Sequence, residues 1–268
     1  MKAKLALIFI ALLVGACGQQ AGEPAVEASA SAPAPTEPEV SIYAAAVANP
    51  GRPAADRDND AGRHPDDVLA FFGIAPGDTV LELFSGSGYY TELLAHVVGD
   101  NGTVVAHINT PILSFVGDAF KARHADNRLP NVSVQHAENN ELVLDADSFD
   151  VITMTLNFHD LYWVSEERGW TKFDVPAFLA ELYKGLKPGG TLGITDHQAE
   201  PGAAEETGGT LHRIDRAIVV AELEAAGFVM DGESDVLRNP EDDYSVNVFD
   251  PAVRGTTDRF VLRFKKPE

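Results

Sequence analysis

The sequence predicts an α/β protein, a doubly wound, seven-stranded mixed sheet in which strand seven runs antiparallel. The expectation rests first on Thr79-Val80-Leu81-Glu82-Leu83-Phe84-Ser85-Gly86-Ser87-Gly88-Tyr89-Tyr90-Thr91-Glu92-Leu93-Leu94. There a β-favouring apolar run meets a small-residue turn and then an amphipathic helical pattern. It rests also on the repetition of that alternation along the chain. Two closing β-rich runs joined by an acidic loop complete it, as an antiparallel hairpin. With 268 residues and 45% hydrophobic content, the chain has material for one sizeable domain plus appendages.

The amino terminus reads as an address. Met1-Lys2-Ala3-Lys4 is basic, and Leu5 to Val14 is an almost unbroken apolar run, short for a permanent membrane helix and suited to a signal peptide. Val14-Gly15-Ala16-Cys17 resembles a bacterial lipobox. Residues 1–16 are therefore expected to be a lipoprotein signal peptide, with Cys17 carrying the lipid. An ordinary signal peptide with an incidental cysteine is the plainer alternative. Gly18, where an Asp would favour inner-membrane retention, points to the outer membrane, facing the periplasm. Residues 17–40, rich in Ala, Pro, Glu and Ser, read as a disordered tether. The folded domain is expected over 41–268.

Within that domain, Ser41 to Asn49 has a short apolar helical pattern. The polar run Arg52 to Pro65 is either a solvated stretch or a lid presenting Arg57, Arg63 or His64. Asp66 to Phe72 predicts a helix capped near Pro65, and Ile74-Ala75-Pro76-Gly77-Asp78 a turn into strand one, Thr79 to Leu83. A helix from Tyr89 should stop near Gly99-Asp100-Asn101-Gly102. Thr103 to Ile108 predicts strand two, Ile112 to Ala125 a helix, and Asn131 to His136 strand three. Strand four follows Asp147-Ser148-Phe149-Asp150, and Phe173 to Leu186 is helical. Thr191 to Thr195 is strand five, and 198–210 a loop with few apolar anchors, expected to be mobile. A helix ends at Ala226 with Gly227 as its stop. Phe228 to Leu237 and Arg259 to Lys265 are strands six and seven.

The pattern Glu82-x-x-x-Gly86-x-Gly88, at a strand end and a helix start, resembles motif I of class I S-adenosyl-L-methionine (SAM) dependent methyltransferases. A dinucleotide fingerprint would want a third glycine where Thr91 stands. Ser148-Phe149-Asp150-Val151 and Leu186-Lys187-Pro188-Gly189-Gly190 are similar to turns of the same family, and the likeness covers residues 60–266. Asn157-Phe158-His159-Asp160, Asp196-His197 and His212-Arg213-Ile214-Asp215 resemble a bacterial group of predicted methyltransferases of unknown substrate. The resemblance implies a Rossmann-like sheet and SAM as cofactor, held by Glu82, Phe84, Ser85, Gly86 and Gly88. It puts Asn109 where relatives carry the acid for the ribose hydroxyls, Glu138 or Asn139 near the adenine amine, and Asn157 over the donor methyl. Asn109 lacks that acid's charge, and His136 stands where an adenine-contacting acid is common.

Three polar clusters follow predicted strands: Asn157/His159/Asp160, Asp196/His197, and His212/Arg213/Asp215. Ligands of open α/β sheets bind outside the carboxyl ends of strands. His159 is a candidate general base oriented by Asp160 or Asp196, with His197 completing the catalytic set. His212, Arg213 and Tyr162 are candidate substrate contacts, Arg213 as a clamp for a carboxylate or phosphate. The plainer alternatives are strand-end caps and a surface ion pair. The same histidines and aspartates would form a metal set if they met in space, but no local spacing such as His-Glu-x-x-His supports one, and no metal is assigned. The net charge of −21 argues against a nucleic-acid partner. The expected activity is SAM-dependent methylation of a small-molecule or lipid-like acceptor, in a domain held at the membrane through Cys17. A non-catalytic or differently liganded periplasmic binding protein is the alternative, favoured by Asn109 and by export away from cytoplasmic SAM. A metal-dependent hydrolase is a third.

Overall fold

The computed structural model describes residues 40–268; the expected signal peptide, Cys17 and the tether through residue 39 lie outside the described residues. Among the described residues, the strands β1 (Thr79–Leu83), β2 (Thr103–Ile108), β3 (Val132–His136), β4 (Phe149–Thr155), β5 (Leu186–His197), β6 (Val229–Ser234) and β7 (Arg259–Lys265) form one sheet. Its order is β3-β2-β1-β4-β5-β7-β6. β1 to β5 are parallel, and β7 runs antiparallel to both β5 and β6. The chain reverses its winding between β1 and β4, so the crevice outside their carboxyl ends is the topological switch point.

Both faces of the sheet are covered because its strands alternate two apolar sets. Leu81 and Leu83 of β1, Ile152 and Met154 of β4, and Phe260, Leu262 and Phe264 of β7 pack with Phe178, Leu179, Leu182, Val219 and Leu223. Those last five lie on α7 (Val175–Gly185) and α9 (Arg216–Ala225). Val80, Val104, Val151 and Val261 face the opposite way. They meet α1 (Ile42–Val47), α4 (Pro65–Phe72) and α5 (Tyr89–Val98). A strand buried on both faces is apolar at every position, as β1 nearly is.

Helix starts follow their capping chemistry. Asp174 accepts from Ala177 N–H ahead of Pro176, Asp215 from Ala217 N–H, and Asn109 from Ile112 N–H at the head of α6 (Thr110–His124). α4 begins with Pro65 and stops at Gly73, whose φ is +74°.

Several expectations need correction. The run 52–65 is not a bare solvated stretch, for it forms α2 (Ala54–Arg57) and α3 (Asp60–Arg63), packed on Tyr89 at the head of α5. Buried Arg52 grips Asp60 with two bonds of 2.8 and 2.7 Å, and Arg63 stacks over Tyr89. Arg57 reaches back to the Pro50 and Arg52 carbonyls, while His64 stays on the outside near Asp67. The segment 198–210 is anchored, with Ala199 fully buried, Gly202 N–H bonded to Asp215, and α8 (Thr207–Leu211) at its end. Its missing apolar residues are replaced by hydrogen bonds.

Gly193 of β5 lies flat under Phe72, and a Cβ there would sit 2.6 Å from the ring. Gly193→Ala is expected to destabilise the fold by ~1–3 kcal/mol through overpacking. Part of that loss should return in Gly193→Ala/Phe72→Leu, measured by urea unfolding.

Candidate functional site

β1 ends in a loop that the chain can form only with unusual backbone angles. Phe84 is left-handed at φ +51°, followed by Gly86 at +58° and Gly88 at +84°. The Phe84 ring pays for that conformation by packing against His107, Trp170, Phe173 and Phe178. His107 on β2 then pins the loop. Its Nδ1 accepts from Phe84 N–H at 3.3 Å, its Nε2–H donates to the Ala137 carbonyl at 3.1 Å, and its own carbonyl accepts from Ser85 N–H. Burial pushes its pKa down to about 4, which keeps the ring neutral as this tautomer requires.

The loop is buttressed from α6. A Cβ on Gly88 would fall 2.8 Å from Arg123 Cγ, so glycine is required there by space as well as by φ. Buried Arg123 donates to the Ser87 carbonyl at 3.1 Å and pairs with Glu92 of α5 and with Asp56 at 2.7 Å. Burial raises the Glu92 pKa, but its bonds to His96, Arg128 and Arg123 outweigh that and hold it at about 2. Glu82 has no such cation in contact among the described residues, with Arg123 and Arg63 acting only at a distance. It accepts from the Thr91 hydroxyl, and burial pushes it up to about 8. Ser85 is buried with its Oγ unpartnered among the described residues, and a Cβ on Gly86 would meet nothing nearer than 4.0 Å.

The β2 and β3 ends differ from expectation. Asn109 is fully buried and engaged at both ends, capping α6 through its oxygen and donating to Asn139 at 2.8 Å. Asn139 donates onward to the Thr171 carbonyl, and Asn140 clasps Lys172 and Asp174. Glu138 accepts from the Thr110 backbone and hydroxyl beside His136. These side chains join the β3 exit to the loop entering α7. Asn157 is half-buried at the β4 exit, after Leu156 at φ +60°.

At the neighbouring β4 and β5 ends the predicted polar residues converge. Asp196, fully buried, accepts from His159 N–H at 2.8 Å, from His159 Nδ1–H at 2.7 Å and from His197 N–H at 2.7 Å. His159 Nε2 therefore points away from Asp196, toward His212 Nδ1 at 3.2 Å and Asp160 Oδ1 at 3.4 Å. Burial alone would lower the His159 pKa, but the Asp196 and Asp160 carboxylates outweigh it and raise it to about 9. His212 is held at φ +53° at the end of α8, and a Cβ on Gly208 of that helix would collide with the His159 carbonyl. Trp163 and Phe249 flank the His212 ring with centroids 5.6 and 5.0 Å away.

Three expected site residues are engaged otherwise than expected, although the His197 ring stays beside His159, with centroids 6.0 Å apart. Arg213 is no substrate clamp. It is fully buried, bidentate to Asp242 at 2.8 and 3.0 Å, and bonded to the Gln198 and Val246 carbonyls. His197 is adjacent in sequence to Asp196, but the strand's alternation turns it to Thr257, 2.7 Å away, and burial lowers its pKa far below the ordinary value. Tyr162 packs against the α7–α9 core, where burial and then Glu222 raise its phenol pKa. Arg123 and His107 were missed as site residues. One sits in the last turn of a helix and the other next to the end of a strand, with nothing local to distinguish them.

Residues 80–190 match the family described as a methyltransferase domain. Curated relatives include a 2-phytyl-1,4-naphtoquinone methyltransferase of Synechococcus elongatus, 33% identical over 122 residues, 45% of this chain and 46% of that one. The ubiquinone/menaquinone biosynthesis C-methyltransferase UbiE of Vibrio campbellii is 33% identical over 45% of this chain and 41% of its own. The match thus spans under half the length of these relatives. A SAM-dependent methyltransferase from Aquifex aeolicus shares the fold with a TM-score of 0.55 and 24% identity, covering 80% of this chain and 98% of that one. One from Mesorhizobium loti gives 0.53 and 15%, covering 77% and 99%.

Glu82 predicts a pH dependence. With a folded pKa of about 8 against an ordinary 4.5, the fold holds this proton more tightly than the unfolded chain does. Its contribution is fully present below pH 4.5 and lost as pH rises through 8. Glu82→Gln should gain stability relative to the parent between pH 5 and 8, by roughly a few kcal/mol, in urea unfolding at the two pH values.

Proposed function

We propose that this chain, which carries a methyltransferase domain on the class I fold, transfers the methyl group of SAM to a small-molecule or lipid-like acceptor in the bacterial envelope. The observation that carries the reading is adjacency. β1 and β4 pair in parallel through Leu83 and Met154, and β4 and β5 through Thr155 and Thr195. The glycine loop and the His159 cluster thus leave the sheet side by side.

The loop suits the cofactor. Buried Ser85 Oγ lacks a protein partner among the described residues, the space beside Gly86 is open, and the first N–H groups of α5 lie there. SAM, when bound, supplies an electrophilic methyl on a sulfonium. Ser85, Gly86 and Gly88 would hold it, with Asn157 at the next strand end. The ribose contact assigned to Asn109 is not supported by an amide already engaged at both ends.

The acceptor side falls to His159, Asp160 and His212. Asp196 fixes the His159 ring so that Nε2 faces the cluster. Between them these groups can accept the proton of an acceptor hydroxyl and compensate the charge left on its oxygen, leaving an oriented nucleophile for in-line attack. Trp163 and Phe249 favour a flat, aromatic acceptor. The quinone methyltransferases among the relatives fit that class.

A second reading, a binding protein for another ligand, is favoured by Asn109 and by the expected export. Calorimetric titration of the purified full chain with SAM and S-adenosylhomocysteine separates the two. Micromolar binding abolished in Gly86→Arg supports the methyltransferase, and no binding by folded protein overturns it. The envelope location is tested separately: Cys17→Ser should move the protein from the membrane to the soluble fraction and remove incorporation of labelled fatty acid.

A further inference from the structure

We propose that His159 Nε2, His212 Nδ1 and Asp160 form a binding site for one divalent transition-metal ion, zinc foremost. The three ligand atoms stand 3.2, 3.4 and 3.5 Å from one another. Four-coordinate zinc with bonds of about 2.0–2.1 Å places its ligands about 3.3–3.4 Å apart, whereas cis ligands of an octahedron with the same bonds are about 2.9 Å apart. The spacing is that of a tetrahedral face.

The surroundings match a built site. Asp196 accepts a hydrogen bond from His159 Nδ1–H at 2.7 Å, which fixes the ring and turns Nε2 inward, the carboxylate–histidine arrangement that orients metal-bound imidazoles. Asp196 is itself locked by two backbone N–H groups. His212 is delivered in a left-handed conformation unfavourable for a non-glycine residue, and Gly208 allows its helix to press on His159. Two carboxylates converge on one buried imidazole, an excess of negative charge that a cation offsets.

Three protein ligands leave the fourth tetrahedral position open. His212 and Asp160 are partly exposed, with side chains 18% and 13% accessible, so that position is reachable from outside. An oxygen of the acceptor fits it. Resting on the methyl transfer proposed above, the cation would lower the pKa of a bound hydroxyl, as it does that of water. The hydroxyl proton leaves to solvent, the oxygen forms a bond to the methyl carbon, and the carbon–sulfur bond of the sulfonium breaks.

Untagged full-length protein, freed of metal by chelation, is titrated with Co²⁺ and followed by visible absorption, with Zn²⁺ competition and elemental analysis. One equivalent of tetrahedral Co²⁺, displaced by Zn²⁺, is expected. His212→Ala and Asp160→Asn should each weaken binding at least ~10-fold, and Asp196→Asn, a positioning residue, by ~10–100-fold. His64→Ala should change nothing. Circular dichroism identifies folded variants, and Asp160→Asn, nearly isosteric, covers a failure of His212→Ala to fold. No stoichiometric Co²⁺ binding, an octahedral spectrum, or unchanged affinity in folded Asp160→Asn overturns the site. Cobalt binding without SAM binding would leave the metal site standing and remove methyl transfer; the reverse would do the opposite.

Discussion

The carboxyl edge of this sheet is organised by one buried carboxylate. Asp196 has no exposed surface and, among the described residues, no lysine or arginine in contact, so its charge is met by three N–H groups, two of them from His159. An ionised carboxylate out of water is costly unless its lone pairs are filled. That requirement folds the β4 exit back onto the β5 end. The loop then carries Asp160 beside His159 and brings Trp170 within 2.9 Å of the Asp160 carbonyl.

The opposite half of the edge uses a different device. There the charges are paired across the α5–α6 groove, with Arg123 spanning Glu92, Asp56 and the Ser87 carbonyl. The glycine loop is fixed from above by a guanidinium and from behind by a neutral imidazole, His107. Both halves hold functional side chains by filling hydrogen-bonding capacity, and apolar packing supplies the support beneath them.

Much of this architecture was legible in the residues. β1, β2 and β7 have the expected bounds, and β2 ends where its apolar run meets Asn109, the cap of the next helix. Helix starts were legible where Asp or Pro stood at the cap. The convergence of His159, Asp160 and Asp196 could be anticipated from strand order, since residues after adjacent parallel strands must meet. Partners chosen in three dimensions were not legible. Arg213 looks like a ligand clamp until Asp242, 29 residues away, is brought to it. Asn109 looks like a ribose contact until Asn139 faces it. His197 follows Asp196 directly, yet the strand's alternation turns its ring nitrogen to Thr257, a partner 60 residues away. The anchored 198–210 segment misled because its restraint comes from Asp215 and backbone groups, which leave no apolar signature.

Phe84, Leu156 and His212 share a feature that bears on how such a protein evolves. Each is a non-glycine residue in the left-handed region, and each lies at the carboxyl edge. Such conformations cost of order 1 kcal/mol apiece and persist only where neighbours enforce them. Selection for heat resistance alone would find glycine or asparagine at Leu156 and His212 early, because each exchange relieves the backbone locally, whereas the buried Phe84 ring is held by its aromatic neighbours. Leucine and histidine in that conformation mark the edge as a place where backbone ease yields to fixed side-chain direction. A laboratory lineage evolved for stability would drift away from this chemistry from that edge inward.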